Sequence, residues 1–186
     1  EPGIRVVDIG CGAGSALLLL AGAFPASNFE GYDISRFALD RANQKLADSG
    51  LTNVTFHHPD DKALPENGTV DLVTTFDCIH DMTTPRRMID RIYAMLSVRG
   101  RWLLVDIKAQ DTFEENVTKN PMASLMYGIS VLSCMSSAMS EPDGAGLGTL
   151  GLPESLARSM AMEAGFASFV RLDVDHSVNA FYEVRK

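Results

Sequence analysis

Apolar residues along this chain fall into two alternating rhythms. Short runs rich in β-branched and aromatic residues read as strands: IRVVDIG at 4–10, NFEGYDIS at 28–35, VTFHHPD at 54–60 and VDLVTTFDCIH at 70–80. The last is nearly continuously apolar, as a strand covered on both faces should be. Between them stand helical patterns. SALLLLAGAF at 15–24 has Ser15 at its start and Pro25 just beyond, and FALDRANQKLADSG at 37–50 is closed by Gly50. PRRMIDRIYAMLSVRG at 85–100 repeats Met88, Ile89, Ile92, Met95 and Leu96 at helical spacing, with Gly100 as its stop, and RWLLVDI at 101–107 is a fifth strand. Strands and helices in this alternation predict an α/β fold, a Rossmann-like, doubly wound, mostly parallel sheet built by right-handed crossovers.

The rhythm breaks at about residue 109. From Ala109 to Leu152 no good strand appears; a helix-like stretch, MASLMYGISVLSCMSSAM, leads into the glycine-rich loop SEPDGAGLGTLG. A helical insertion after strand five is thus predicted over about 109–152, and a long loop inside a domain is usually functional. Regular patterning returns with a helix at PESLARSMAMEAG. Two strands follow, FASFVRLDVD and VNAFYEVRK, separated by a short His-Ser corner and predicted as an antiparallel hairpin at one edge of a seven-stranded sheet.

Length and composition narrow the class. At 186 residues and 46% hydrophobic, residues 1–186 make a single domain with a sizeable core. A net charge of −8 argues against nucleic-acid binding by this segment, and Arg86, Arg87, Arg91, Arg99 and Arg101 are diluted among apolar positions. Cys11, Cys78 and Cys134 are odd in number and widely spaced, which fits a reducing cytoplasm and shows no zinc spacing; no metal is expected. No apolar run is long enough to span a bilayer. Because a strand opens the chain at once, it reads as a fragment whose N-terminal segment is missing.

The first strand runs into Gly10, Gly12 and Gly14 with Asp8 just before them. Such a turn lets a ligand approach backbone without a Cβ in the way, at the carboxyl end of a strand where open α/β sheets bind. Asp33 ends the second strand, nineteen residues after Gly14, where a carboxylate can accept from both hydroxyls of a ribose. Asp60 stands at the matching end of the third strand. A dinucleotide fingerprint wants G-x-G-x-x-G, but its sixth position is Ser15. A nearby anion such as Asp8 also suits a cationic nucleoside better than a pyrophosphate.

VVDIGCGAG, GYDIS, DLVTTFDCIHDM and GRWLLVDI resemble the successive motifs of class I S-adenosylmethionine-dependent methyltransferases, over nearly the whole chain. The resemblance implies S-adenosyl-L-methionine as cofactor, S-adenosyl-L-homocysteine as product, and a small-molecule acceptor with an O, N or S nucleophile. It implies that Gly10, Gly12 and Gly14 face the methionyl part and Asp33 the ribose, with Asp8, Cys11 and Ile34 also in the cofactor site. Asp60, with the backbone of Asp61, would hold the adenine, and Phe76 and Asp77 would line the wall beside the sulfonium. NPMASLMYGISVLSCM followed by GAGLG is similar to a subgroup whose methyltransferase domain follows an N-terminal winged-helix-like dimerisation domain, which implies that such a domain precedes this segment and makes a homodimer.

His80 and Asp81 in CIHDM fall just past the fourth strand, and plant O-methyltransferases carry a similar pair whose histidine is the general base. Imidazole titrates near neutrality, so His80 is the candidate base and Asp81 its companion; the other reading is a histidine that only shapes the pocket. His57 and His58 point to opposite faces of a strand and read as structural. Met122, Met126, Tyr127 and Met135 are the candidate apolar acceptor pocket, with the insertion as a lid. Two other functions share these features: a ligand-sensing regulatory domain without methyl transfer, and a nicotinamide-dependent reductase.

Overall fold

Burial along the first apolar run explains its place in the fold. In strand β1 (Arg5–Ile9), Val6 packs into one apolar cluster while Val7 and Ile9 pack into another. A strand apolar on both faces belongs inside a sheet. The computed structural model, which describes residues 2–186, has β1 third in a seven-stranded sheet of order β3-β2-β1-β4-β5-β7-β6. The other strands are β2 (Asn28–Tyr32), β3 (Val54–His57), β4 (Val70–Phe76), β5 (Leu96–Ile107), β6 (Ser168–Arg171) and β7 (Asn179–Arg185). Strands β1 to β5 are parallel, and β7 runs antiparallel between β5 and β6. The strand order reverses at β1, between β2 and β4, and opens a crevice at their carboxyl ends. The mostly parallel, doubly wound sheet expected from the pattern is the one observed.

The helices are α1 (Ser15–Ala23), α2 (Arg36–Ser49), α3 (Pro85–Met95), α4 (Phe113–Lys119), α5 (Ala123–Ile129), α6 (Met135–Ala138) and α7 (Glu154–Glu163). Leu17 and Ala21 of α1 and Leu46 of α2 pack with Val6, Phe29 and Val54 on one face. On the other, Ile89, Ile92 and Met95 of α3 join Ala157, Met160 and Ala161 of α7 over Val7, Val73, Trp102 and Leu104. The three α3 side chains are at most 1% exposed. Each stabilises by roughly 1.5–3 kcal/mol, so the apolar stripe of α3 is what docks it. Among the described residues no helix is long and apolar enough to cross a membrane.

Three boundaries differ from the pattern. Helix α3 ends at Met95, and Gly100 is not its cap. Leu96 already begins β5, and a Cβ at Gly100 would stand 2.8 Å from the Val70 carbonyl, so this glycine serves close strand approach. The third and fourth strands stop at His57 and Phe76, and Ile79–Asp81 form a 3-10 turn. The final pair is no tight hairpin: seven residues, 172–178, join β6 to β7, and β7 is internal because it pairs along both β5 and β6.

Residues 109–152 fold as an insertion with its own small core. Helices α5 and α6 are joined by a widened π turn, Ser130–Cys134, and Ala123, Met126 and Leu150 bury one another. The returning loop is tied down where Ala145 N donates to Thr83 O at 2.9 Å, just past the turn that follows β4.

Candidate active site

The turn after β1 is built by glycines in left-handed backbone. Gly14, at φ 71°, caps α1, and a Cβ there would meet the Phe56 ring at 2.5 Å; a Cβ on Gly10, at φ 70°, would meet Cys78 at 2.8 Å. The amides of this turn are not left free. Gly10 N and Cys11 N donate to Tyr32 O, Gly14 N to Cys11 O, and Gly12 N to Asp33 Oδ2 at 2.8 Å. What the glycines present is bare backbone rather than a row of open donors.

Asp33 locks this turn to the next. Its Oδ1 accepts from Ser35 N at 2.8 Å, so one carboxylate ties the β1 turn to the start of α2, where Ser35 Oγ caps the helix by accepting from Ala38 N. Each oxygen keeps a second lone pair for a hydroxyl.

A cavity of about 610 Å³ opens at this edge of the sheet. That is within the range of small-molecule sites. It gathers six residues singled out from the sequence: Gly10, Asp33, Ile34, Phe76, Asp77 and Asp81. Cys11, Gly12 and Gly14 are not among the residues that line it. Asp8 lies beneath, 2% exposed, accepting from Thr74 Oγ1 at 2.7 Å. Burial pushes its carboxyl up to about 7, against the Thr74 hydrogen bond and helped by the charge of Asp33. Asp60 and Asp61 face solvent; Asp61 pairs with Arg36 at 2.7 Å, and Pro59 instead takes a place on the cavity wall.

Asp77 departs most from ordinary backbone. Its φ is 49°, a left-handed value that a non-glycine residue rarely adopts. Neighbours hold it there: its N donates to Val105 O at 2.9 Å, and Asn179 Nδ2 from β7 donates to its Oδ1. Burial, reinforced by the Asp106 charge, raises its carboxyl above the usual range.

His80 is 3% exposed and does not line the cavity. Its Nδ1 is 2.6 Å from Oδ1 of Asp106, itself 2% exposed at the end of β5. Its Nε2 lies 3.2 Å from Asp81 Oδ1, but the two neighbours are not aligned for a hydrogen bond, and Asp81 Oδ1 is left without one. Burial opposes a charged ring, yet the Asp106 hydrogen bond and the charges of Asp106 and Asp81 outweigh it and raise the imidazole to about 11. An imidazolium has no lone pair to take a proton, so the environment differs from that expected of a general base near neutrality.

None of Met122, Met126, Tyr127 and Met135 lines the cavity. Met126 and Tyr127 pack inside the lid with Ala123 and Leu150, and Met135 lies against Gly146 and Gly148. The π turn between α5 and α6 shifts the helical phase, so i, i+4 pairing does not carry one face through the insertion. The lid instead presents Ser137, Ser140 and Glu141. Sequence reasoning missed these, and missed Asp106 and Asn179, although a carboxylate inside the apolar run WLLVDI was a visible signal.

A sheet that reverses at β1, an antiparallel β7 slotted between β5 and β6, and a cavity at the carboxyl ends define the class I methyltransferase fold. The chain belongs to the family described as "Methyltransferase domain", which matches residues 1–149. It is 30% identical over 113 residues to trans-aconitate 2-methyltransferase of Variovorax paradoxus, covering 60% of this chain and 40% of that protein. Solved structures that share the fold include the following two. A protein of Nostoc punctiforme provisionally named an O-methyltransferase gives a TM-score of 0.76 at 17% identity, over 100% of this chain and 53% of its own. Phosphoethanolamine N-methyltransferase 2 of Haemonchus contortus, with phosphomonomethylethanolamine and S-adenosylhomocysteine bound, gives 0.69 at 21%, over 92% and 35%. The chain thus spans about half or less of these relatives.

Proposed function

We propose that this chain binds S-adenosyl-L-methionine along the carboxyl ends of β1, β2 and β4 and transfers its methyl group to a small molecule beneath the lid. The observation that carries this reading is the single cavity joining Gly10, Asp33 and Asp77 to Ser137, Ser140 and Glu141 of the lid. When bound, the cofactor would supply an activated methyl group: a lone pair on the acceptor's O, N or S would attack the methyl carbon as the carbon–sulfur bond breaks toward sulfur, the acceptor's proton, where it carries one, would pass to water, and S-adenosyl-L-homocysteine would leave. The sulfonium is already activated, so the protein's task is to align three atoms and exclude water.

In this reading Asp33 accepts from the ribose hydroxyls, Ile34 and Pro59 flank the adenine, and Phe76 and Asp77 stand beside the sulfonium. Asp60 and Asp61 contribute charge from the rim. His80, clamped by Asp106, is a positioning residue for the turn that carries Asp81 to the cavity. The three unpaired cysteines support a reducing compartment, the cytoplasm.

The test is turnover of methyl-labelled cofactor with a panel of phenols, amines, thiols and carboxylates, reading S-adenosyl-L-homocysteine by mass spectrometry. Asp33→Ala should weaken cofactor binding about a hundredfold by calorimetry, because it removes charge-assisted hydrogen bonds worth roughly 1.5–3 kcal/mol each. Cofactor binding that ignores this change would sink the reading.

A further inference from the structure

We propose that His80, Asp81 and Cys134 form a binding site for a zinc-type divalent transition ion, fastening the lid to the turn after β4. Cys134 stands 53 residues beyond Asp81 in the chain, on the π turn of the insertion. Folding nevertheless brings one donor atom of each residue within 4.8 Å of the others, the single such group among the described residues. Spacing along the sequence could not show it.

Three further observations fit a metal. First, Asp81 Oδ1 is shut off from solvent and has no hydrogen-bond partner, an orphaned acceptor that a cation would satisfy. Second, the His80 ring is backed at Nδ1 by Asp106, 2.6 Å away, which leaves Nε2 to meet the ion, whose binding would displace the Nε2 proton. Ligand histidines are usually oriented by such a carboxylate. Third, the separations are close to those required. A tetrahedral site with bonds of 2.0–2.3 Å has edges of roughly 3.3–3.8 Å. His80 Nε2 and Asp81 Oδ1 are already 3.2 Å apart, and the Cys134 thiol, held 3.0 Å from Thr149 Oγ1, needs to move in by about 1 Å at most. One nitrogen, one oxygen and one sulfur suit zinc or cobalt(II), whereas magnesium and calcium want oxygen throughout. A three-residue set leaves a fourth position for water.

Cobalt(II) is the probe. The chelator-treated chain should take up one equivalent, with a near-ultraviolet sulfur-to-cobalt charge-transfer band that zinc abolishes stoichiometrically. Cys134→Ser, checked for folding by circular dichroism, should lose that band, while Asp106→Asn should keep it at about tenfold weaker affinity. X-ray absorption on the zinc-loaded wild type, expected to show one sulfur scatterer, needs no variant. Absence of the band, absence of sulfur in the shell, or a Cys134→Ser titration like the wild type's would overturn the proposal. None of these readouts involves the cofactor, so they stand apart from the question of methyl transfer.

Discussion

The cofactor edge and the lid face the same cavity but rest on different physics. At the cofactor edge each group is fixed by strand ends: Asp33 ties two backbone amides, Asp77 is held in left-handed backbone, and Asp8 is buried at 2% exposure. The lid rests on a small apolar cluster of its own and offers exposed polar side chains, Glu141 among them. In the proposed reading, pre-organised charge would sit under the cofactor and exposed polar surface would cover the acceptor. The contrast is sharpest between two carboxylates, Asp8 and Glu141.

Asp8 gives the largest expected effect. Its pKa is 3.8 ordinarily and about 7 in the fold. Below about pH 4 it is protonated whether the chain is folded or not, so it carries no pH-dependent cost there. As the pH rises, the unfolded chain loses the proton first, and stability falls until the folded carboxyl ionises near 7. The full swing is on the order of 4 kcal/mol. Denaturant unfolding at pH 4.5 and pH 8 should show wild type losing several kcal/mol more than Asp8→Asn over that interval. Parallel losses would mean that Asp8 is not the buried acid described. A bound sulfonium should shrink the swing more than neutral S-adenosyl-L-homocysteine does.

That asymmetry also explains what the sequence made legible. The strands of the cofactor edge follow from short runs rich in β-branched and aromatic residues, and the glycines and Asp33 from their places at strand ends, whereas Asp77 was implied by the family resemblance. Where two local rules competed, the boundary moved: Met95 and Leu96 continue the helical repeat, but pairing with β4 claims Leu96 for the sheet. Phase in the lid depends on one extra residue in a turn, which no periodicity count contains. His80, Asp81, Asp106 and Cys134 meet only through the tertiary fold, so motif spacing had nothing to report.

Two glycine substitutions carry the comparison to backbone. Gly10→Ala puts a Cβ into left-handed backbone and within 2.8 Å of Cys78, and should cost about 2–3 kcal/mol. Gly128→Ala, in α5, adds a Cβ with no atom within 4 Å and should stabilise by roughly 0.5–1 kcal/mol. Opposite shifts in melting temperature are the expected outcome. Shifts of the same sign would erase the distinction between a strained edge and a relaxed lid.

Glu141 gives the smallest effect and the most direct view of the lid. Its carboxylate is exposed at the mouth of the cavity, so water screens it strongly. At an effective dielectric near that of bulk water, one charge several ångströms from an acceptor is worth about 1 kcal/mol or less. Glu141→Gln should therefore raise KM for a cationic acceptor and lower it for an anionic one, each by about two- to fivefold, and high salt should erase both changes. Cofactor affinity should stay as it was, because the groups proposed to grip the cofactor belong to the strand ends. If cofactor affinity fell together with acceptor KM, lid and edge would be acting as one unit, and the division between fixed charge and adaptable surface would fail.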